Sequence, residues 1–325
     1  MRAVVIEAPG GPETLVEADL PDPTPGPEEV VIDIAAVGVN RADLLQRAGH
    51  YPPPKGAPAW PGLECSGRIS ALGDDVTSWE LGEEVCALLP GGGYADKVAV
   101  HYGLLMAVPD GVDLIDAAAL PEAAATVWSN LVDVGEIEEE LTVLIHGGAG
   151  GIGTFAVQFA KAVDAVVYTT ARESNHDGLL ELGADVVIDY ENEDFVAVLK
   201  EAGGADIILD NLGGGYLDRN IAALAPYGQL ITIGLQKGRT GEIDMARLMA
   251  KRAQITGSTL RSRSLLSRIQ ILSGVEDDMW PLVEEDEIIM PIHARLPLAE
   301  AAQAHRLMEA GGHFGKILLV ADEDL

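Results

Sequence analysis

This chain is poor in cysteine, lysine and aromatic side chains, and it has no long apolar run. Cys65 and Cys86 are its only thiols in 325 residues, too few for a four-cysteine zinc lobe or a disulfide scaffold. No stretch approaches the roughly 20 apolar residues of a membrane helix. The opening MRAVVIEAPGGPETL lacks the basic segment and apolar core of a secretory leader, so the expected location is the cytoplasm. Lysine is the scarcest charge: 7 Lys and 14 Arg face 52 acidic residues, a formal net charge of -31. A field of that sign repels phosphate backbones and anionic lipid, which excludes nucleic acid and membrane surfaces as expected partners. The acids are dispersed, with runs at 136–140 and 284–287 rather than one tail. Dispersed acid with little lysine is the pattern expected of a halophilic protein, in which self-repulsion is screened over about 3 Å at 1 M salt.

What is present is enough core for two domains, with 48% hydrophobic residues and 37 glycines. Up to about residue 122 the pattern is all-β. Short strand candidates at 2–6, 29–35, 66–71, 84–88 and 96–100 are separated by Pro- and Gly-rich turns, which suggests a small barrel. The middle reads differently. LTVLIHGGAGGIGTFAVQFAK, at 141–161, is an apolar strand, a G-x-G-x-x-G formed by Gly148, Gly150 and Gly153 around Gly151 and Ile152, and a helix. That order suits a dinucleotide: Gly148 for the tight turn, Gly150 for approach of the pyrophosphate, Gly153 for close helix packing, and a helix N-terminus offering N–H groups to the anion. Further strands are expected at 165–170, 185–189, 206–210, 229–233 and 255–259, alternating with helices, which gives six strands of a doubly wound parallel sheet. Near the end, 299–310 reads as an amphipathic helix and 315–320 as one more strand, returning to the first domain. The histidines, including His50, His146, His293, His305 and His313, show no metal-ligand spacing and read as surface or packing residues; Arg261 and Arg263 read as surface arginines, with a contact to the cofactor or the domain junction as the alternative.

Several motifs in this order resemble the medium-chain dehydrogenase/reductase superfamily over essentially the whole chain. They are NRADLLQRAGHYPPP from Asn40, PGLECSGRI from Pro61, LPEAAATVW from Leu120, GGAGGIG from Gly147 and FGKILL from Phe314. Within it the chain is similar to the zinc-independent quinone oxidoreductases. The resemblance implies an α/β protein with a GroES-like β-barrel catalytic domain at 1–122 and 266–325 and a Rossmann nucleotide-binding domain at 123–265. Zinc alcohol dehydrogenases of the superfamily carry cysteine where Asn40 stands and histidine where Leu63 stands, before a glutamate matching Glu64. Neither residue here suits zinc, so no metal is expected, and the substrate is expected to be intrinsically electrophilic.

The resemblance also assigns residues. Thr126 helps hold the nicotinamide carboxamide, Gly234 and Leu235 line the ring, and Lys316 reaches toward the nucleotide. Asn40 and Tyr51 are the candidate donors to the substrate oxygen. At the end of the second strand of the nucleotide domain, Arg172 and Ser174, with Tyr190 after the third, suit a 2′-phosphate, while Glu173 could serve a 2′-OH; the expected cofactor is NADPH. The expected activity is NADPH-dependent reduction of a small-molecule quinone. Reduction of activated alkenes, and a nucleotide-binding redox sensor with little turnover, remain open. The superfamily's habit implies a homodimer or homotetramer, with 255–259 as the candidate edge strand.

Overall fold

The computed structural model describes residues 1–321, in two compact units. One comprises Met1–Ala125, Arg261–Glu285 and, of the described residues, 290–321; the other comprises Thr126–Leu260 and Asp286–Ile289.

The first unit begins with a hairpin, β1 (Arg2–Ile6) against β2 (Leu15–Asp19), which forms a separate two-stranded sheet. Its main sheet is organised by β3 (Glu29–Gly38), a ten-residue strand buried along nearly all its length. β3 pairs antiparallel with β4 (Glu64–Leu72) and with β6 (Lys97–His101), and register shifts after Val31 and Ile34 let it bend between partners. β5 (Glu84–Leu88) and β7 (Leu105–Ala107) extend the sheet beyond β4. Val30, Ile32, Ile34, Val85 and Met106 form part of its core. Helix α1 (Arg41–Arg47) follows β3, and its N-cap is Asn40, whose backbone N–H donates to the Asp43 carboxylate at 2.8 Å.

Helix α2 (Pro121–Val127) leads to a π-helical turn, Trp128–Val132, and then to the sheet of the second unit. This sheet contains β8 (Thr142–His146), β9 (Val166–Ala171), β10 (Val186–Asp189), β11 (Ala205–Asp210), β12 (Leu224–Thr232) and β13 (Gln254–Gly257). All neighbours are parallel and the order is β10-β9-β8-β11-β12-β13. This is the doubly wound arrangement, in which the direction of winding reverses between β8 and β11. Leu144, Ile208 and Leu230 on neighbouring strands pack with Phe195, Leu199 and Ile221 from the crossover helices into one core. α3 (Gly151–Ala162) starts straight after the glycine loop and buries Phe155, Ala156, Val157 and Phe159.

The chain then returns to the first unit through helix α4 (Leu265–Asp278), strand β14 (Ile292–Pro297), helix α5 (Ala301–Ala310) and strand β15 (Lys316–Val320). β15 lies parallel to β14 and antiparallel to β3, completing a seven-stranded sheet. The sequence reading contains neither β2, β7 and β14 nor helices α1, α2 and α4. β14 alternates half-buried and exposed residues and includes a proline, a weak strand signal; α4 turns only Ile271, Leu272 and Val275 inward, so its apolar stripe is thin.

Candidate functional site

At the carboxyl end of β8 the chain turns through Gly147, whose φ of 72° is the left-handed conformation that favours glycine. The tight turn therefore falls one residue before Gly148, to which the sequence reading assigned it. Gly148 is required for a different reason: a Cβ there would lie 2.1 Å from Thr169 Oγ1. A Cβ on Gly153 would meet the Gly147 carbonyl at 2.3 Å, so the helix can approach the loop only without one. A Cβ on Gly150 would meet nothing closer than the Gly147 carbonyl, in ordinary contact at 3.6 Å. Thr154 N is the first to bond back into the helix, to Gly150 O at 2.8 Å. The amides of Gly151, Ile152 and Gly153 precede that bond, in the first turn where N–H groups lack helical acceptors.

The loop is braced from beneath by His146. Its Nδ1 meets Thr170 Oγ1 at 3.1 Å and its Nε2 meets Asn220 Oδ1 at 2.8 Å, while Gly147 N donates to the same threonine at 3.1 Å. Burial pushes the imidazole down to about 4, so it is neutral at physiological pH. Across the reversal point, Asn211 follows β11, and its Nδ2 lies 2.8 Å from where a Gly147 Cβ would stand. The Asn211 backbone also packs against Gly234, whose added Cβ would meet Asn211 O at 2.7 Å. The structure thus brings the glycine loop, Asn211 and the Gly234–Leu235 loop to one edge of the sheet, with Leu235 52% exposed. Asn211 was missed in the sequence because a single Asn after a strand is an ordinary turn residue.

Arg172 and Tyr190 follow β9 and β10, whose last residues Ala171 and Asp189 are register partners. Tyr190 N donates to Ala171 O at 3.3 Å, and Arg172, Ser174 and Tyr190 are all exposed. Arg172 pairs with Glu191 at 3.4 Å in solvent. Such a surface pair is weak and readily exchanged for a phosphate. Thr126 is nearly buried, and its carbonyl accepts from Asn130 Nδ2 at 2.7 Å in the π-helical turn that follows.

In the first unit, Asn40, Glu64 and Lys316 converge. The fully buried Glu64 carboxylate accepts from Asn40 Nδ2 at 2.7 Å, from Lys316 Nζ and, on its other oxygen, from Glu122 N at 2.8 Å. Lys316 also donates to Asn40 Oδ1 at 2.9 Å and is only 3% exposed. This placement departs from the sequence reading, which sent Lys316 toward a nucleotide. Its position on an inner strand with no exposed flank commits its charge to Glu64. Asn40 departs too: its amide hydrogens are used by Glu64 and by Gly38 O at 3.3 Å. A second chain of polar groups runs from Asp43 through Tyr94 and His305 to Arg47, all buried, and ends on the exposed Glu309. Tyr51 is half-buried, and burial together with Glu122 pushes its phenol up, so the hydroxyl keeps its proton. Its ring lies 5.3 Å from the guanidinium carbon of Arg261. That arginine is buried, contrary to the surface position read from sequence.

Residues 26–110 match the family described as alcohol dehydrogenase GroES-like domain, and residues 182–319 match zinc-binding dehydrogenase. A quinone oxidoreductase of Pseudomonas aeruginosa is 31% identical over 325 residues, covering 98% of this chain and 99% of that protein. This chain is a medium-chain dehydrogenase/reductase of the quinone oxidoreductase family. Among solved structures of this superfamily, Escherichia coli quinone oxidoreductase complexed with NADPH superposes with a TM-score of 0.90 at 26% identity, covering 99% of this chain and all of that one. An NAD-dependent alcohol dehydrogenase superposes at 0.88 with 30% identity, over 99% and 100% of the two chains. The family is one of oxidoreductases, and one matching description names zinc. The donor set here does not fit that metal: an amide engaged by an ion pair stands at position 40 and the buried hydrocarbon of Leu63 at position 63.

Proposed function

We propose that this protein reduces quinones with NADPH by hydride transfer, without a metal. The observation that carries the reading is the Asn40–Glu64–Lys316 cluster: an amide and a self-neutralising ion pair offer no Lewis acid to polarise an alcohol or a plain carbonyl, so the acceptor must be electrophilic in itself. Arg172, Ser174 and Tyr190 at the ends of β9 and β10 support a 2′-phosphate and hence NADPH, as does the NADPH complex of the E. coli relative. Bound there, NADPH supplies the hydride. The first-turn amides of α3 take the pyrophosphate, and Asn211 and Leu235 border the same sheet edge.

Addition of hydride to a quinone leaves a hydroquinone monoanion, which one proton from water converts to the hydroquinone. Tyr51, protonated across the physiological range, is the donor suited to the oxygen on which the charge develops. Asn40 serves by fixing Lys316 and Glu64. The test is NADPH oxidation in high salt over a panel of quinones and enones, with NADH in parallel. We expect quinone turnover, a clear preference for NADPH, insensitivity to chelators, and a loss of about tenfold to a hundredfold in turnover for Tyr51→Phe with NADPH binding intact. Enone turnover without quinone turnover would assign the protein to alkene reduction, and tight NADPH binding with neither would make it a sensor.

A further inference from the structure

In a chain with 52 acidic residues an arginine finds a carboxylate easily. Arg47 takes Glu309, Arg68 takes Glu84, Arg219 takes Asp194 and Arg295 takes Asp116. Arg261 does not. It is 6% exposed, its Nε donates to Pro90 O at 2.7 Å, and both terminal nitrogens are buried without a hydrogen-bond partner. The backbone is cut close around it: at Gly91, with φ of 147°, a Cβ would lie 2.9 Å from Nη2. Arg268, on α4, likewise buries Nε and Nη1 without partners. Among the described residues these are the only lysine or arginine side chains with orphaned buried donors.

The titratable neighbours do not cancel this charge. Arg261 feels Tyr51, Asp43 and Glu122. Tyr51 is neutral, and burial beside Glu64 pushes Glu122 up to about 8, so at neutral pH it is mostly uncharged. Asp43, pushed up to about 6, is ionised but already accepts from Asn40 N and Gly62 N. Orphaned buried donors of a cation are costly, and native proteins keep them where something else completes them. The planar fork of a guanidinium matches a carboxylate or two-oxygen anion, and the ring of Tyr51 over it marks the place of an aromatic plane.

We propose that Arg261 is the anion-recognising residue of the acceptor site, binding a negatively charged oxygen carried by an aromatic ring, with the Tyr51 ring moving off the guanidinium to admit it. This deepens the quinone-reductase reading and rests on its placement of the acceptor beside Tyr51. The site selects acceptors with an acidic oxygen, such as carboxylated or hydroxylated quinones, and holds the hydroquinone monoanion formed from neutral ones. Charge-assisted bidentate bonds outweigh the cation–π contact they replace, which makes the exchange favourable.

Benzoate and its neutral isostere benzamide test this by calorimetric titration of the intact protein in high salt. We expect benzoate to bind about tenfold or more tightly than benzamide, the preference to fall to about twofold or less in Arg261→Gln and to survive in part in Arg261→Lys. Tyr51→Ala, which removes the cover, is expected to bind benzoate at least as tightly as the wild type. Equal binding of the two compounds by the wild type, or an undiminished preference in Arg261→Gln, overturns the proposal, and the wild-type comparison needs no variant to fold. No turnover enters the measurement. A benzoate preference without quinone reduction sinks the activity and keeps the anion site, whereas quinone reduction without the preference does the reverse.

Discussion

Lys316 and Glu64 illustrate how a buried pair constrains single residues. Each ion has lost its water; Lys316 is compensated by Glu64 and Asn40, and Glu64 by Lys316, Asn40 and the Glu122 backbone N–H. Removing one partner strands the other, at a cost of about 3–5 kcal/mol. Lys316→Met should therefore lower unfolding stability by that order in urea titrations, while Lys316→Met combined with Glu64→Gln should recover most of it. Equal destabilisation in both would mean that lost packing, and not the stranded charge, sets the cost. Glu122 gives a prediction in pH. Its folded value of about 8 lies above the ordinary 4.5, so between those values the native state holds more proton than the unfolded chain. Stability from this group is complete at low pH and declines as pH rises through 8. Glu122→Gln does not titrate, so the variant should gain on the wild type progressively from pH 5 to pH 9 in paired denaturation curves. His305 has the opposite sign: pushed down to about 3 by burial beside Arg47, it favours the native state above its ordinary 6.5 and loses that contribution as pH falls toward 3.

At the scale of elements, the glycine loop separates two jobs that one motif performs. Gly148→Ala places a methyl 2.1 Å from Thr169 Oγ1, a hydroxyl already donating to Ile145 O at 2.8 Å. It should cost about 1–3 kcal/mol in stability as well as NADPH affinity. Gly150→Ala meets nothing closer than 3.6 Å and should fold normally while weakening NADPH, measurable by nicotinamide fluorescence. These contacts also show what the sequence could and could not disclose. Strand β8, the loop and α3 were legible because apolar run, glycine spacing and helix follow each other locally. The six parallel strands were legible as apolar runs of similar length. What was not legible depended on distant partners. Lys316 reads as a lysine before a strand until β15 is laid against β3, 276 residues after Asn40 in the hydrogen-bond pattern. Arg261 looks like a surface residue until Pro90, Gly91 and Tyr51 close around it.

For the whole molecule the governing quantity is charge. With a formal charge of -31, and ion pairs such as Arg68–Glu84 and Arg219–Asp194 lying at the surface, repulsion among carboxylates opposes compaction, and added salt should relieve it. We infer salt adaptation: the melting temperature should rise by more than about 5 °C between 0.1 and 2 M KCl, and a flat response would remove the inference. The same charge bears on assembly. β13 is an edge of the six-stranded sheet, with Ile255 exposed, and we propose that it pairs with a second copy once salt screens the approach. Sedimentation in 2 M KCl should then show a dimer or larger, and Ile255→Lys should shift it to monomer.

The return of β14 and β15 to β3 also orders events during synthesis. The nucleotide-binding sheet is drawn from one continuous stretch within Thr126–Leu260, and all six of its strands are made before β15. The first sheet must wait. Until β15 emerges, β3 lacks a neighbour and Glu64 lacks its counter-ion. A nascent chain stalled just past residue 290 would thus be expected to carry a folded, protease-resistant second unit behind a first unit still open to cleavage.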